Sequence, residues 1–387
     1  RRSSCSRRKT SKCRCSLRIT AELGWRVWID RGGTFTDVLA LAPSGELGVR
    51  KVLSAQPGVP GDPAVNAIRQ LLGLTDTEPL RPGLLQELRL GTTVATNALL
   101  EQRGAPVLLL INRGFADLLR LGDLQRPDLF ALQISRELPL SLEVVEVAGR
   151  LGADGQELEP LELDGALAAQ VHKAMADGYR SIAVALLHSY RNPDHERRLG
   201  AWLSDLGAAS VTLSHQLSRL PRLVPRGQTT LLEATLAPVL SQYLDQVEQA
   251  LGDAVSLRVM RSSGALAPRT WLRAKDTILS GPAGGMVGAM AAAREALTLA
   301  GLPLQPLVGF DMGGTSTDVF HCACGPGGWQ WQRQPQTTLA GLQLQAPMLP
   351  IHTVAAGGGS ILRFEQDRLQ VGPQSAGADP GPVAYRR

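Results

Sequence analysis

The sequence is poor in aromatic residues and in cysteine, and it has no long apolar run. Phe, Trp and Tyr make up 4% of its 387 residues, and there are five cysteines. No stretch approaches the roughly 20 apolar residues that a membrane-spanning helix needs, so we expect no membrane association. Three cysteines lie in the first 20 residues, while Cys322 and Cys324 lack the Cys-x₂-Cys spacing of most zinc sites. We expect these two to be packing residues of a cytoplasmic protein.

Acidic residues are missing from the first 20 positions, which carry eight Lys or Arg. The remainder holds 32 basic and 35 acidic residues, so the formal net charge of +5 comes from this segment. The rest of the chain is mildly acidic and gives no reason to infer nucleic-acid binding. We therefore expect residues 1–23 to be a basic, disordered tail. A transit segment, or a site for RNA or anionic lipid, is the alternative for such an Arg/Ser-rich stretch.

One eight-residue pattern occurs twice. Residues 30–37 read Asp-Arg-Gly-Gly-Thr-Phe-Thr-Asp, and residues 311–318 read Asp-Met-Gly-Gly-Thr-Ser-Thr-Asp. Each copy lies between two apolar runs, which predicts a strand, a tight Gly-Gly turn and a second strand. Such a turn brings backbone N–H groups and Thr hydroxyls to one point where phosphate binds, and the flanking carboxylates suit hydrated Mg²⁺. Two copies favour a duplicated nucleotide clamp over two ordinary glycine hairpins.

Two further turns precede helices. Residues 91–93 read Gly-Thr-Thr after a short strand, and residues 280–285 read Ser-Gly-Pro-Ala-Gly-Gly before a helix expected over 286–297. Free N–H groups at a helix start bind phosphate, so both turns are predicted walls of the same site. The alternatives are a simple Thr N-cap for the first turn and tight packing of a helix on a sheet for the second.

Strands alternate with helices along most of the chain, which predicts an α/β fold with a largely parallel sheet. Asp62 and Pro63 predict a helix start. Residues 226–251 predict a long helix, interrupted by Pro238, that connects two lobes. Residues 122–160 are polar and irregular, and predict a lid or substrate region with a short strand at 143–147.

Six motifs stand in an order that resembles the hydantoinase A/5-oxoprolinase family over roughly residues 25–385. They are the two hairpins at 30–37 and 311–318, the Gly-Thr-Thr segment at 91–101, Ser-Gly-Pro-Ala-Gly-Gly at 280–285, Thr-Val-Ala-Ala-Gly-Gly-Gly-Ser at 353–360 and Val-Gly-Pro-Gln-Ser-Ala-Gly-Ala at 371–378. Arg31, the His-Ser-Tyr at 188–190 and the Thr-Val-Ala-Ala form favour the oxoprolinase branch of the family.

The resemblance implies a two-lobed actin/Hsp70/sugar-kinase-like fold, with RNase H-like lobes around ATP. We expect domains at 1–23 (tail), 24–222 (first lobe) and 223–387 (second lobe, incomplete at its C-terminus). The implied activity is ATP-dependent opening of the lactam of 5-oxo-L-proline to L-glutamate, in the glutathione cycle, with ATP and Mg²⁺ as cofactors.

The implied site residues lie in the four turns. Asp30 and Asp311 would hold Mg²⁺, directly or through water, and one of them would orient a nucleophile. The expected phosphate-binding residues are Gly32, Gly33, Thr34, Thr36, Gly91, Thr92, Thr93, Ser280, Gly281, Gly284, Gly313, Gly314, Thr315 and Thr317.

The resemblance also implies partners and alternatives. Relatives continue with an adenosine-binding segment and a hydantoinase B-like half or subunit, so we expect little activity from this chain alone and a homo-oligomer from a complete enzyme. Hydantoin hydrolysis and ketone carboxylation use similar motifs within the family. A sugar or acyl kinase, and a non-catalytic fragment that binds a partner half, are the alternatives from other classes.

Overall fold

The computed structural model describes most of the chain. The described residues are 24–56, 58–75, 78, 80–123, 130, 140–252, 255–314, 316–365, 367–377 and 381. The predicted tail at 1–23 lies outside them, so its disorder stays a prediction.

Helices and strands alternate along the described residues. The helices are α1 (Pro63–Leu71), α2 (Val94–Leu100), α3 (Leu118–Leu121), α4 (Gly165–Ala176), α5 (Asp194–Asp205), α6 (Ser214–Leu217), α7 (Leu223–Leu251) and α8 (Ser280–Leu299). The strands are β1 (Trp25–Arg31), β2 (Phe35–Leu41), β3 (Leu47–Leu53), β4 (Leu85–Thr92), β5 (Val107–Asn112), β6 (Leu142–Val147), β7 (Arg150–Leu151), β8 (Glu157–Glu159), β9 (Ser181–Ala185), β10 (Ser210–Leu213), β11 (Ser256–Met260), β12 (Leu266–Pro268), β13 (Leu307–Met312), β14 (Thr317–Gly325), β15 (Gly328–Gln330), β16 (Thr337–Leu339), β17 (Leu342–Leu344), β18 (Ile351–Val354), β19 (Ser360–Glu365) and β20 (Arg368–Ser375). The α/β class is confirmed.

The first sheet has the order β12-β11-β4-β1-β2-β3. Strands β1 to β3 form an antiparallel meander, and β4 and β11 continue the sheet parallel to β1. Val38 and Ala40 of β2 alternate with less buried residues, as in a strand with one face on a core, and that core includes α1 and α7. The meander followed by parallel strands agrees with the expected RNase H-like lobe.

Strands β11 and β12 lie beyond residue 222 and still belong to the first sheet. The sheet therefore draws strands from both sides of the predicted division. The boundary between the two lobes at residue 222 therefore stays a prediction.

The second sheet is parallel throughout, with the order β10-β9-β5-β6. All six residues of β5 are buried, as expected for a parallel sheet covered on both faces. Leu167 of α4 and Leu199 of α5 pack on one face, and Leu231 of α7 packs on the other. The carboxyl ends of these strands meet at one edge.

Within residues 122–160 the predicted short strand at 143–147 is confirmed, and the lid or substrate role stays a prediction. Residues Leu142–Val147 form β6, which pairs with β5 along its whole length, because Val145 and Val147 supply the apolar side chains of a buried strand. Strands β7 and β8 then form a short antiparallel pair. Residues 124–129 and 131–139 lie outside the described part of the chain.

Helix α7 is continuous over 29 residues and contains Pro238. The predicted interruption is therefore wrong. Proline removes one helical hydrogen bond, but Leu236 and Leu240 on either side are buried in the core of the first sheet, and this packing keeps the helix in place. Because Leu231 packs under the second sheet, α7 links the two sheets.

The third sheet contains the second hairpin. β14 pairs with β13, β15 and β18, all antiparallel. Phe320 and Cys322 are buried against Ala283 and Met286 of α8, whereas Cys324 is exposed. The predicted packing role is therefore confirmed for Cys322 and wrong for Cys324. In none of the helices that the structure describes is there a segment long and apolar enough to span a bilayer.

Candidate functional site

The first hairpin has the predicted strand–turn–strand geometry. Asp30 pairs with Asp37 across β1 and β2, and the turn closes where the Gly32 N–H donates to the Phe35 carbonyl at 3.0 Å. Gly33 lies at the exposed tip of the turn. The Thr34 carbonyl accepts from the Ser54 N–H at 2.9 Å, which ties the turn to the end of β3.

The hydroxyl of Thr36 braces this turn from inside. Thr36 is 1% exposed, and its Oγ1 lies 2.9 Å from Ser54 Oγ. Ser54 Oγ donates to the Gly32 carbonyl at 2.7 Å, so the Thr36 hydroxyl is the donor to Ser54. The phosphate role of Thr36 stays a prediction, and its hydroxyl is already hydrogen-bonded within the protein.

The Gly-Thr-Thr turn lies beside the first hairpin. Thr93 donates from both its backbone N–H and its Oγ1 to the Arg31 carbonyl, at 3.0 and 3.1 Å. Thr92 is fully buried, and its Oγ1 accepts from the Val94 N–H at the start of α2. A Cβ built on Gly91 would lie 3.3 Å from Asp30 Oδ1. The turn is thus a neighbour of the Asp30 carboxylate.

Helix α8 begins at Ser280, so the glycine-rich segment forms its first turns instead of a loop before Met286. Ser280 Oγ donates to the Thr92 carbonyl at 2.9 Å, which joins α8 to the Gly-Thr-Thr turn. A Cβ built on Gly284 would lie 3.7 Å from Met260, so this glycine faces β11.

Two glycines of α8 face the two aspartates. A Cβ built on Gly281 would lie 3.8 Å from Asp30 Oδ1, and one built on Gly285 would lie 3.5 Å from Asp311 Oδ2. Residues four apart share one face of a helix, so one strip of α8 passes both carboxylates. In the first turn of α8 the N–H groups of Ser280 and Ala283 donate to the Thr277 and Leu279 carbonyls and Pro282 has none, so the Gly281 N–H is the donor left for a phosphate oxygen.

The second hairpin repeats the geometry of the first. Asp311 pairs with Asp318, and the Gly313 N–H donates to the Ser316 carbonyl at 2.8 Å. Thr317 is buried, and its Oγ1 donates to the Ala356 carbonyl at 2.6 Å. Thr315 lies outside the described residues.

The Gly-Gly-Gly segment supports this hairpin from behind. The N–H groups of Gly358 and Gly359 donate to the carbonyls of Gly313 and Gly314 at 2.9 and 2.7 Å. These carbonyl groups are therefore held by the protein, and the backbone of the turn is fixed in position. The phosphate roles of Gly313 and Gly314 stay predictions.

The charge of Asp311 acts on the Asp30 carboxyl across the cleft. Removal of water by the surrounding protein raises the pKa of the Asp30 carboxyl above its ordinary value of 3.8, and the negative charges of Asp37 and Asp311 raise it further, against the lowering effect of Lys51. Desolvation and Asp311 also raise the pKa of Asp318, while its hydrogen bond from Thr353 lowers it. The cleft between the hairpins is thus a place of concentrated negative charge.

Within the described residues, no group of three or more His, Cys, Asp or Glu side chains is arranged to hold a metal ion. Two carboxylates with water and nucleotide oxygens are nevertheless a common ligand set for Mg²⁺, which keeps several waters. A magnesium role for Asp30 and Asp311 stays a prediction.

Two contacts at the first hairpin, with Asn97 and with Tyr243, were not predicted from the sequence. Asn97 of α2 reaches the turn, because a Cβ built on Gly33 would lie 3.4 Å from its Nδ2. The side chain of Arg31 is ion-paired with Asp62, the N-cap of α1, and lies over the ring of Tyr243 at 4.5 Å. The spacing of Asn97 four residues after Thr93 could have indicated the first contact, but nothing local indicates Tyr243.

Comparison with known proteins identifies relatives over nearly the whole chain. The family described as "Hydantoinase/oxoprolinase N-terminal region" matches residues 26–207, and the family described as "Hydantoinase/oxoprolinase" matches residues 226–387. The protein "5-oxoprolinase 1" of Arabidopsis thaliana is 40% identical over 94% of this chain, which spans 30% of that relative.

Two solved structures share the fold. The ATP-dependent caprolactamase from Pseudomonas jessenii has a TM-score of 0.70 and 30% identity, over 93% of this chain and 52% of that one. Acetone carboxylase in a nucleotide-free structure has the same TM-score of 0.70 with 24% identity, over 94% of this chain and 52% of that one. The second likeness is one of fold alone.

Proposed function

The chain belongs to the hydantoinase/oxoprolinase family, and from that premise we propose that it binds ATP between its two hairpins for the hydrolysis of 5-oxo-L-proline to L-glutamate. Because the chain spans 30% of the oxoprolinase relative, the proposal covers both such an enzyme and the N-terminal part of one. The supporting observation is the glycine strip of α8, which faces Asp30 at Gly281 and Asp311 at Gly285.

The chemistry explains why ATP is required. A lactam carbon is a poor electrophile, and a phosphoryl group on the lactam oxygen makes it a better one. The lactam oxygen attacks the γ-phosphorus and ADP leaves; water adds to the ring carbon, the C–N bond breaks and the nitrogen takes a proton. Hydrolysis of the resulting acyl phosphate by a second water releases L-glutamate and phosphate. Such transfers depend chiefly on positioning and on neutralisation of charge.

The hairpin residues have defined roles in this proposal. Backbone N–H groups near Gly33, Gly281 and Gly314 bind phosphate oxygens. Asp30 and Asp311 would hold Mg²⁺, which would supply neutralisation of phosphate charge, and a cation there would relieve the repulsion that contributes to the raised pKa of Asp30. The buried hydroxyls of Thr36 and Thr317 keep the two turns in shape.

A hydantoinase B-like half or subunit is the proposed partner, in a cytoplasmic homo-oligomer. The likeness to caprolactamase favours a second candidate, in which the same cleft supports hydrolysis of another cyclic amide, such as a hydantoin or a larger lactam.

Nucleotide binding by the chain and product formation test the proposal separately. Calorimetric titration with Mg-ATP measures binding for the chain and for Asp30→Asn and Asp311→Asn, with Glu46→Gln on the exposed β2–β3 turn as the matched control. ADP and L-glutamate are then measured with 5-oxo-L-proline, hydantoin or ε-caprolactam, with and without a hydantoinase B-like polypeptide.

We expect Mg-ATP binding that both aspartate variants lose and the control keeps, and L-glutamate only where 5-oxo-L-proline and the partner are present. ADP release stimulated by ε-caprolactam or hydantoin alone would support the second candidate. A stable phosphorylated substrate would identify a kinase instead. Failure of the chain to bind Mg-ATP would overturn the proposed cleft.

A further inference from the structure

A polar cavity lies at the carboxyl edge of the parallel sheet. Its volume is about 340 Å³. It is lined by Arg197, His215, Gln216, Leu217, Ser218 and Arg219. These residues come from the first turn of α5, which follows β9, and from the segment after β10. In open α/β sheets, ligands bind outside the carboxyl ends of the strands.

Glu196 fixes the ring of His215 at this cavity. Glu196 is completely buried, and its Oε2 lies 2.6 Å from His215 Nδ1 and accepts from the His215 N–H at 2.9 Å. Its Oε1 accepts from the Leu186 N–H and from Ser214 Oγ. Four hydrogen bonds to one carboxylate require a proton on His215 Nδ1. Nε2, on the opposite side of the ring, has no hydrogen-bond partner among the described residues and is left for a ligand.

Arg226 holds the wall of the cavity from below. This arginine of α7 is completely buried, and it donates to the Leu186 carbonyl at 2.7 Å, the Leu220 carbonyl at 2.8 Å and Ser214 Oγ at 3.1 Å. It thereby ties the segment 214–220 to the end of β9. The cavity wall is therefore preorganised before any ligand arrives.

The cavity is positively charged. Arg219 is exposed and has no ion-pair partner among the described residues, whereas Arg197 is paired with Asp194 at 3.3 Å. No acidic side chain is among the lining residues. The N-terminus of α5 adds a partial positive charge at the same place.

We propose that this cavity binds a small anion, a carboxylate or a phosphate, with Arg219 and the Nε2–H of a doubly protonated His215 as its direct donors. The site is separate from the nucleotide cleft. Arg226 under the cavity and Tyr243 beside Arg31 lie on the same helix, α7, 17 residues apart, which corresponds to about 25 Å. The bound anion is thus a second ligand, separate from the nucleotide.

The test uses the whole chain and two probes, inorganic phosphate and acetate. Nitrogen NMR of ¹⁵N-histidine-labelled protein reports on His215 Nε2, whose signal is assigned by its loss in His215→Asn. We expect the Nε2 signal to shift on titration and to saturate. A response to phosphate alone, to acetate alone or to both probes identifies the class of anion that the cavity binds.

Arg219→Gln removes one charged hydrogen bond and should weaken binding of the responding probe about tenfold. Arg180→Gln is the matched control, because Arg180 is exposed at the amino end of β9, the opposite edge of the same sheet. It should leave the binding unchanged.

Two results would overturn the site. One is a His215 signal that does not respond at saturating phosphate or acetate. The other is equal weakening by Arg219→Gln and Arg180→Gln, which would show a general effect of surface charge.

Discussion

Gly281 and Gly285 lie one turn apart on α8, and the first faces Asp30 while the second faces Asp311. Built Cβ atoms would lie 3.8 Å and 3.5 Å from the respective carboxylate oxygens. The two aspartates belong to hairpins 281 residues apart in the sequence. One short strip of α8 therefore lies beside both hairpins of the candidate nucleotide cleft.

Alanine substitutions on this strip should weaken nucleotide binding without lowering the stability of the fold. The built distances are ordinary van der Waals contacts, so Gly281→Ala and Gly285→Ala should fold, and Ala is favoured over Gly within a helix by up to about 1 kcal/mol. The added methyl groups occupy the space beside the carboxylates, so we expect at least tenfold weaker Mg-ATP binding with an unchanged or raised melting temperature.

Gly288 provides the control for these alanine variants. It is exposed on the same helix, and a Cβ there meets nothing within 4 Å. Gly288→Ala should keep full Mg-ATP affinity in the same calorimetric titration. Equal affinities for all three variants would contradict a ligand on the strip.

Asp30→Asn should stabilise the nucleotide-free protein at neutral pH. Desolvation, Asp37 and Asp311 hold the pKa of Asp30 above 3.8 in the folded protein, so the folded state binds this proton more tightly than the unfolded state. The proton on Asp30 stabilises the fold fully at pH values below the pKa that Asp30 has in the unfolded chain. This stabilisation is lost as the pH rises through the pKa that Asp30 has in the folded protein. The charged form is therefore the unfavourable one at pH 7.

Thermal denaturation of the variant and the parent from pH 4 to pH 8 measures this effect. The gain in melting temperature from Asp30→Asn should be largest at neutral pH and should shrink as the pH falls. Glu46→Gln, on the exposed β2–β3 turn, should show no such trend. A lower melting temperature for Asp30→Asn at pH 7 would be the opposite of the expected sign.

Ser54→Ala should damage the first hairpin although Ser54 touches no ligand in the proposed mechanism. The substitution leaves the buried Thr36 hydroxyl and the Gly32 carbonyl without Ser54 Oγ, which costs about 1–3 kcal/mol. We expect a lower urea midpoint and weaker Mg-ATP binding, because the Gly32 turn loses its support. Ser44→Ala, on the exposed β2–β3 turn, should change neither measurement.

Arg226→Met should strongly destabilise the parallel sheet. Burial lowers the pKa of Arg226, but its bonds to three carbonyls and Ser214, and the nearby Glu196 charge, keep it in place. Removal leaves the Leu186 and Leu220 carbonyls without their donor and takes a positive charge away from the neighbourhood of the buried Glu196, at a cost of roughly 3–5 kcal/mol. Arg226→Lys should not restore this stability, because an ammonium cannot reproduce the fork of donors.

Arg222→Gln serves as the comparison for Arg226→Met in urea denaturation. Arg222 is ion-paired with Asp123 at the surface, so its loss should cost less than about 1 kcal/mol. Similar losses for the two variants would mean that the buried network is not the source of stability.

Local patterns predicted much of the fold. The helix start at Asp62 is confirmed, since the Asp62 side chain accepts from the N–H groups of Ala64 and Val65. Both hairpins are confirmed because a Gly-Gly turn between apolar strands is a short-range feature. Pro238 was misjudged because burial of the neighbouring Leu236 and Leu240 by distant residues outweighs its local preference.

The sequence by itself determined the two hairpins, the Thr-rich helix start and the family, since turn chemistry and the order of motifs are local and linear properties. Only the tertiary structure decided that α8 begins at Ser280 and presents Gly281 and Gly285 to the two aspartates. It also decided that Ser54 accepts a hydrogen bond from the Thr36 hydroxyl and that Glu196 orients the ring of His215. These relationships join residues far apart in the chain, and packing of whole elements, not local preference, brings them together.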